Sequence, residues 1–154
     1  MRREYIKRVF SDWDKLKTEG IYFSGIEGEG EYKMWYDNGP LWIHCFYENG
    51  KYNGEYKRWR DNGQLFTHCF YEDGKKNGEF REWRENGQLW VHCFYENGKK
   101  NGEYKKWHRD GQLFTHCFYK NGELGGEYKG WWENGELFRH KLYKNGYKIE
   151  DYLE

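Results

Sequence analysis

The stretch Gly54–Lys76, GEYKRWRDNGQLFTHCFYEDGKK, contains two short runs rich in aromatic and β-branched residues on either side of Asn62-Gly63. Such runs suit a pleated, half-buried strand. Asn-Gly accepts positive φ at both positions and is the strongest short hairpin signal. The reading is therefore strand Glu55–Arg60, a two-residue turn at Asn62-Gly63, strand Gln64–Tyr71, and a return turn at Gly74-Lys75. A helix fails, because Gly and Asn-Gly interrupt any 3.6-residue pattern about every dozen positions.

The same phrase recurs along the chain. Trp35, Trp59, Trp83, Trp107 and Trp131 are spaced by 24, as are Gly39, Gly63, Gly87, Gly111 and Gly135. His44, His68, His92, His116 and His140 follow the same period, as do Tyr47, Tyr71, Tyr95, Tyr119 and Tyr143. A fixed period of this size marks stacked supersecondary units. The expected organisation is an N-terminal cap over 1–29, five tandem repeats over 30–149 and a tail over 150–154. Within the cap, Leu16–Gly25 reads as a half-worn repeat, preceded by a strand or short helix at Glu4–Phe10. Altered end repeats suit the capping of a stack.

Composition agrees with a thin fold. Of 154 residues, 36% are hydrophobic, 22% aromatic and 34% charged, so rings supply most of the apolar area and a thick aliphatic core is not expected. Twenty Gly against one Pro indicate many tight turns. Twenty-six basic residues balance 26 acidic ones, which argues against strong nonspecific attraction to nucleic acid. No apolar run approaches the roughly 20 residues that cross a bilayer, and MRREYIKRVFSDWD lacks the apolar stretch of a secretory signal. A soluble, cytoplasmic protein is expected.

The segment NGKKNGEYKKWHRDGQL, Asn97–Leu113, resembles the MORN repeat in its variant form, roughly N-G-x-x-x-G-x-Y-x-x-W/Y-x-x-N-G-x-L. The same variant is found in bacterial proteins labelled YwqK-like antitoxins and in arrays encoded by giant DNA viruses. The resemblance covers about 120 to 140 residues. It implies an elongated single-layer antiparallel sheet of β-hairpins, all-β, with a scaffold function and with lipid binding among the activities attributed to relatives. It also raises neutralisation of a protein toxin and a viral origin. The HCFY phrase departs from many members, which have a small residue in place of Cys.

A two-residue turn at Asn62-Gly63 sets the expected register. Trp59 then opposes Phe66, Lys57 opposes His68 and Glu55 opposes Phe70. Opposed residues share a side. Face B would carry Glu55, Lys57, Trp59, Phe66, His68 and Phe70, and face A would carry Tyr56, Leu65, Thr67, Cys69 and Tyr71. Face B would repeat the aromatic pairs Trp35–Trp42, Trp59–Phe66, Trp83–Trp90, Trp107–Phe114 and Trp131–Phe138. Beside them lie His44, His68, His92 and His116, with the cations Lys57, Arg81, Lys105 and Lys129. This is the candidate interaction face, for another protein, for a second copy of the chain, or for anionic lipid. The rings serve first as the core of a single-layer sheet.

The residues do not favour catalysis or metal binding. His68 and Cys69 are adjacent in a strand and point to opposite faces. Repeated Cys45, Cys69, Cys93 and Cys117 are two strands apart, beyond the roughly 7 Å that a disulfide spans. A surface repeated nearly unchanged suits a scaffold better than a single reaction centre. The sequence therefore predicts about ten to twelve antiparallel strands, roughly 50 Å of sheet, without enzyme activity or cofactor.

Overall fold

The computed structural model describes residues 5–9, 18–22 and 28–153, the first two segments by their backbone alone. Leu16 and Gly25, which carry the half-worn repeat in the sequence, lie outside the described residues. Thirteen strands, in chain order, form one open antiparallel sheet. Among the described residues there is no helix. The chain divides into two compact units, residues 1–75 and 76–154. The first is built on β1 (Tyr5–Val9), β2 (Thr18–Tyr22), β3 (Gly30–Trp35), β4 (Leu41–Glu48), β5 (Lys51–Trp59) and β6 (Leu65–Glu72). The second is built on β7 (Lys75–Trp83), β8 (Leu89–Glu96), β9 (Lys99–Trp107), β10 (Leu113–Lys120), β11 (Glu123–Trp131), β12 (Leu137–Lys144) and β13 (Tyr147–Asp151).

The return turn falls on Asp73-Gly74, one residue before the expected Gly74-Lys75, and Asn62-Gly63 is not a two-residue turn. The paired positive-φ turn is the return turn. Asn49, Asp73, Asn97, Asn121 and Asn145 have φ between 49° and 53°, each followed by a Gly with φ between 72° and 91°. That is the two-residue hairpin geometry with both central residues left-handed. In the turn after the Trp strand only the Gly is left-handed, with Gly63 at φ 80°. There Arg60 N donates to Gln64 O at 2.8 Å and Gly63 N donates to Arg60 O at 2.9 Å, so the loop is three residues long. Asn62 serves through its side chain, with Oδ1 accepting Gln64 N–H at 3.0 Å. Asn86, Asp110 and Asn134 repeat this bond at 3.2, 2.9 and 3.0 Å. An amide or carboxylate oxygen does this equally well, which explains Asp110.

The odd loop changes the register near the turn. Lys57 still opposes His68 and Glu55 opposes Phe70, but Trp59 opposes Leu65, with a bulge between Arg58 and Trp59. The other Trp residues do the same, with Trp35 on Leu41, Trp83 on Leu89, Trp107 on Leu113 and Trp131 on Leu137. The expected pairs Trp59–Phe66, Trp35–Trp42, Trp83–Trp90, Trp107–Phe114 and Trp131–Phe138 are therefore not register pairs. At a bulge two successive residues share one side. Phe66 joins Thr67 on face A, and Leu65 joins Trp59 on face B. Side-chain contacts agree. The Phe66 ring lies 4.4 Å from the Arg58 guanidinium and 4.2 Å from that of Arg60. Lys106 Nζ lies 5.4 Å from both Trp90 and Phe114.

Face A is the core. Cys45, Cys69, Cys93 and Cys117 are 1% exposed, and Thr67, Phe80, Val91 and Thr115 are also buried there. Tyr56 is flanked by Cys45 on β4 and Cys69 on β6, and Tyr104 by Cys93 and Cys117. The thiol is small enough to let the phenol rings lie over it. Tyr52 meets Tyr47, Tyr56 and Tyr71 with centroids 4.7, 5.5 and 5.1 Å apart. Lys100 replaces Tyr52 two repeats on and sets its ammonium 4.5 Å from Tyr104 and 5.0 Å from Tyr119, a cation over two ring faces.

Burial pushes the Cys45 thiol up to about 12 and those of Cys93 and Cys117 up to about 11. Thiolate is the nucleophile, so these thiols are inert while the sheet is intact. Iodoacetamide at pH 8 is expected to leave all four unmodified by mass spectrometry in the native protein and to modify all four in urea. Rapid native labelling of any one would show that its Tyr cover is absent.

Candidate functional site

Face B carries one polar group of three residues per repeat. In the repeat containing β5 and β6, Glu55 and Lys57 lie two apart on one strand, and His68 lies opposite Lys57 on the next. Period-two alternation puts Glu55 and Lys57 on the same side. Glu55 Oε1 takes Lys57 Nζ at 2.8 Å and His68 Nε2 at 2.9 Å. The arrangement recurs as Glu31–Lys33–His44, Glu79–Arg81–His92, Glu103–Lys105–His116 and Glu127–Lys129–His140, all bonds between 2.6 and 3.2 Å. Each imidazole leans on the ring two residues ahead, with centroids 5.2 Å apart for His68–Phe70 and His92–Phe94 and 5.0 Å for His116–Phe118. Leu142 takes the ring's place in the last repeat.

Phe70, Phe94 and Phe118 are 37%, 37% and 40% exposed, although they are large and apolar. They are accessible rings of face B that recur with the repeat; Tyr152, 44% exposed with its ring 4.3 Å from that of His140, is another outside the repeat. On the other side of the polar groups, Trp59, Trp83 and Trp107 are half-buried against their Leu partners.

The candidate interaction residues are thus divided between two faces. Trp35, Trp59, Trp83 and Trp107 lie on face B with His44, His68, His92, His116, Lys57, Arg81, Lys105 and Lys129. Trp42, Phe66, Trp90 and Phe114 lie on face A, because the bulge rotates them there. The sequence reading passed over Phe70, Phe94 and Phe118 as contacts, although they recur with the same period. It also missed a tie between repeats. Tyr36 Oη donates to the Trp59 carbonyl at 2.8 Å, Arg84 to that of Trp107 at 2.7 Å, and His108 Nε2 to that of Trp131 at 2.7 Å. The residue types differ, so no repeat pattern reveals their common task.

The polar groups are matched in charge, five carboxylates against Lys33, Lys57, Arg81, Lys105 and Lys129. Lys33 holds the Glu31 carboxyl below its ordinary value of 4.5, and Lys57, Lys105 and Lys129 do the same to Glu55, Glu103 and Glu127. At Glu79 burial pushes the value up, and His92 and Arg81 together outweigh it. A carboxyl lowered in the folded state stabilises the fold above its unfolded pKa, and this contribution is lost as pH falls through the lowered value. Stability should therefore hold down to about pH 5 and decline below 4.5. Glu55→Gln/Glu103→Gln is expected to show a shallower acid decline in urea midpoints than the parent. Each of these two pairs contributes on the order of 0.5 kcal/mol, being largely open to water. An identical acid profile in the double variant would refute this role.

His68 and Cys69 oppose Lys57 and Tyr56, on opposite faces, so the repeated His and Cys do not converge. Among the described residues no group of three metal-ligating side chains comes together. The MORN repeat variant is matched five times, over residues 28–49, 52–73, 76–97, 100–121 and 124–145. No curated protein matches the chain. The chain belongs to the MORN repeat variant family, whose repeats form generally non-catalytic scaffolds that engage proteins or membrane lipids.

Proposed function

We propose that this MORN-repeat chain is a non-catalytic scaffold that docks a protein partner on face B. The contacts are Phe94 and Phe118 in the second unit and Phe70 in the first. One observation carries the reading. These rings stay about two-fifths exposed at a fixed period, beside ionic groups already neutralised within the chain. A repeated apolar spot with a matched polar surround suits a protein surface. Anionic headgroups would need free positive charge, and here the cation of each polar group is held by its Glu.

The test uses the tagged chain and its Phe70→Ser/Phe94→Ser/Phe118→Ser variant as baits in an extract of the native source. Mass spectrometry identifies what each bait retains. A protein retained by the parent and lost by the variant, with the variant still folded by circular dichroism at the temperature of the capture, is expected. A partner held equally by both, or pelleting of the parent with anionic vesicles at low salt, would contradict the proposal. Reversing Lys57, Lys105 or Lys129 is a poorer probe, since it sets a second acid beside a Glu now bonded within 2.8 Å.

A further inference from the structure

The fifth repeat departs from the others at several positions, and one group of these changes opens a notch between the β10–β11 turn and the β12–β13 turn. In earlier repeats this place is filled by the residue that follows the return turn by three. Asn53 Nδ2 donates to Glu48 Oε2, and Asn101 Nδ2 to Glu96 Oε2. The same side chain also supplies an acceptor to the next return turn. Asn101 Oδ1 accepts Asn121 N–H at 3.2 Å. In the first repeat a carboxylate does this, Glu29 Oε1 accepting Asn49 N–H at 2.6 Å.

In the fifth repeat both partners change together. The Asn position is Gly125, and the Glu position is Lys120. The result is an open notch of about 360 Å³, whose lining includes Lys120, Gly125, Gly126, Lys144 and Asn145. A Cβ built on Gly125 would meet nothing within 4 Å. The Asn145 turn keeps the geometry of its counterparts, with φ 49° against 53° at Asn121 and 51° at Asn49. Its N–H therefore has no side-chain oxygen at the place where Asn121 and Asn49 have one. The charge at the Glu48, Glu72 and Glu96 position also reverses, to Lys120 and then Lys144.

We infer that this notch binds a carboxylate side chain of an acidic peptide. One oxygen would take the place that Glu29 Oε1 and Asn101 Oδ1 occupy elsewhere, accepting Asn145 N–H. Lys120 and Lys144 would flank the other oxygen, and charge-assisted bonds of this kind are the stronger class. Glu123 also lines the notch and opposes the ligand's charge, so binding of an isolated side chain is weak and the rest of the peptide supplies the remainder. The inference stands apart from the reading of face B, since no Phe or His of that face takes part.

The test is a ¹H–¹⁵N titration of the full chain with N-acetylglutamate methylamide, with sodium chloride at matched ionic strength as the reference. Inorganic phosphate is titrated in parallel. The expected result is a saturable shift of the Asn145 amide peak, with a millimolar dissociation constant. Gly125→Asn restores the residue of the sister repeats. It should move the Asn145 amide toward its ligand-bound position without ligand and weaken binding by about tenfold or more. Glu123→Gln should tighten binding. The inference is overturned by any of three results: no saturable shift beyond the salt reference, equal binding by Gly125→Asn with its other peaks in place, or saturation by phosphate alone.

Discussion

Phe80→Ala is expected to lower the stability of the second unit by about 3 kcal/mol, within the range seen for large aromatic truncations in cores. Phe80 is 6% exposed, meets Tyr95 edge-on at 5.6 Å, and carries the Lys76 ammonium 4.2 Å from its ring centre. Removing the ring takes its own apolar area from the core and leaves Tyr95 and Lys76 without the surface they pack on. A single-layer sheet has no second layer that could move in to fill the gap. Urea unfolding followed by Trp fluorescence provides the measurement. Phe94→Ala is the control, because Phe94 is partly exposed, and should cost about 1 kcal/mol. Equal losses for the two would mean that face A is not the core.

Gly28→Val is expected to have a comparable effect in the first unit. Gly28 has φ 85°, and a Cβ there would lie 2.9 Å from Gly50 Cα and 3.2 Å from Gly50 N. The obstacle is backbone, held in turn by the bond from Gly50 N to Gly28 O at 3.0 Å. Left-handed backbone alone costs a side chain about 1–2 kcal/mol, and displacing the neighbouring turn adds to that, for about 3 kcal/mol in all. Gly63→Ala separates the two contributions. Gly63 has φ 80° but nothing within 4 Å of the built Cβ, so only the backbone cost of about 1 kcal/mol should appear. Similar midpoints for Gly28→Val and Gly63→Ala would show that the Gly28–Gly50 approach is not as close as described.

The period of 24, the strands and the separation of His from Cys were legible because each depends on spacing or on alternation along one strand. Face membership near the Trp turn was not. Both turns of a repeat contain Asn-Gly or Asp-Gly, and the dipeptide alone does not say whether Asn lends its backbone or its side chain. In Asn97-Gly98 it lends the backbone, with φ 50° and 81°. In Asn62-Gly63 it lends Oδ1 to Gln64. A loop of three residues in place of two, absorbed by a bulge, then exchanges Leu65 and Phe66 between faces. A signal was present in Arg58 and Arg60, two cations of one strand side within reach of a single ring. The notch at Gly125 was equally visible as a departure from Asn53, Asn77 and Asn101, but its meaning needed the bonds those asparagines make.

The bulge decides which side chains each face presents, so the most direct measurement is a carbon-edited NOESY spectrum of the repeat spanning β9 and β10. Contacts are predicted between the Trp107 indole and the Leu113 methyls, and between the Phe114 ring and the Lys106 side chain. Strong contacts between the Trp107 and Phe114 rings, with Leu113 methyls lying beside Thr115, would contradict the assignment of both faces.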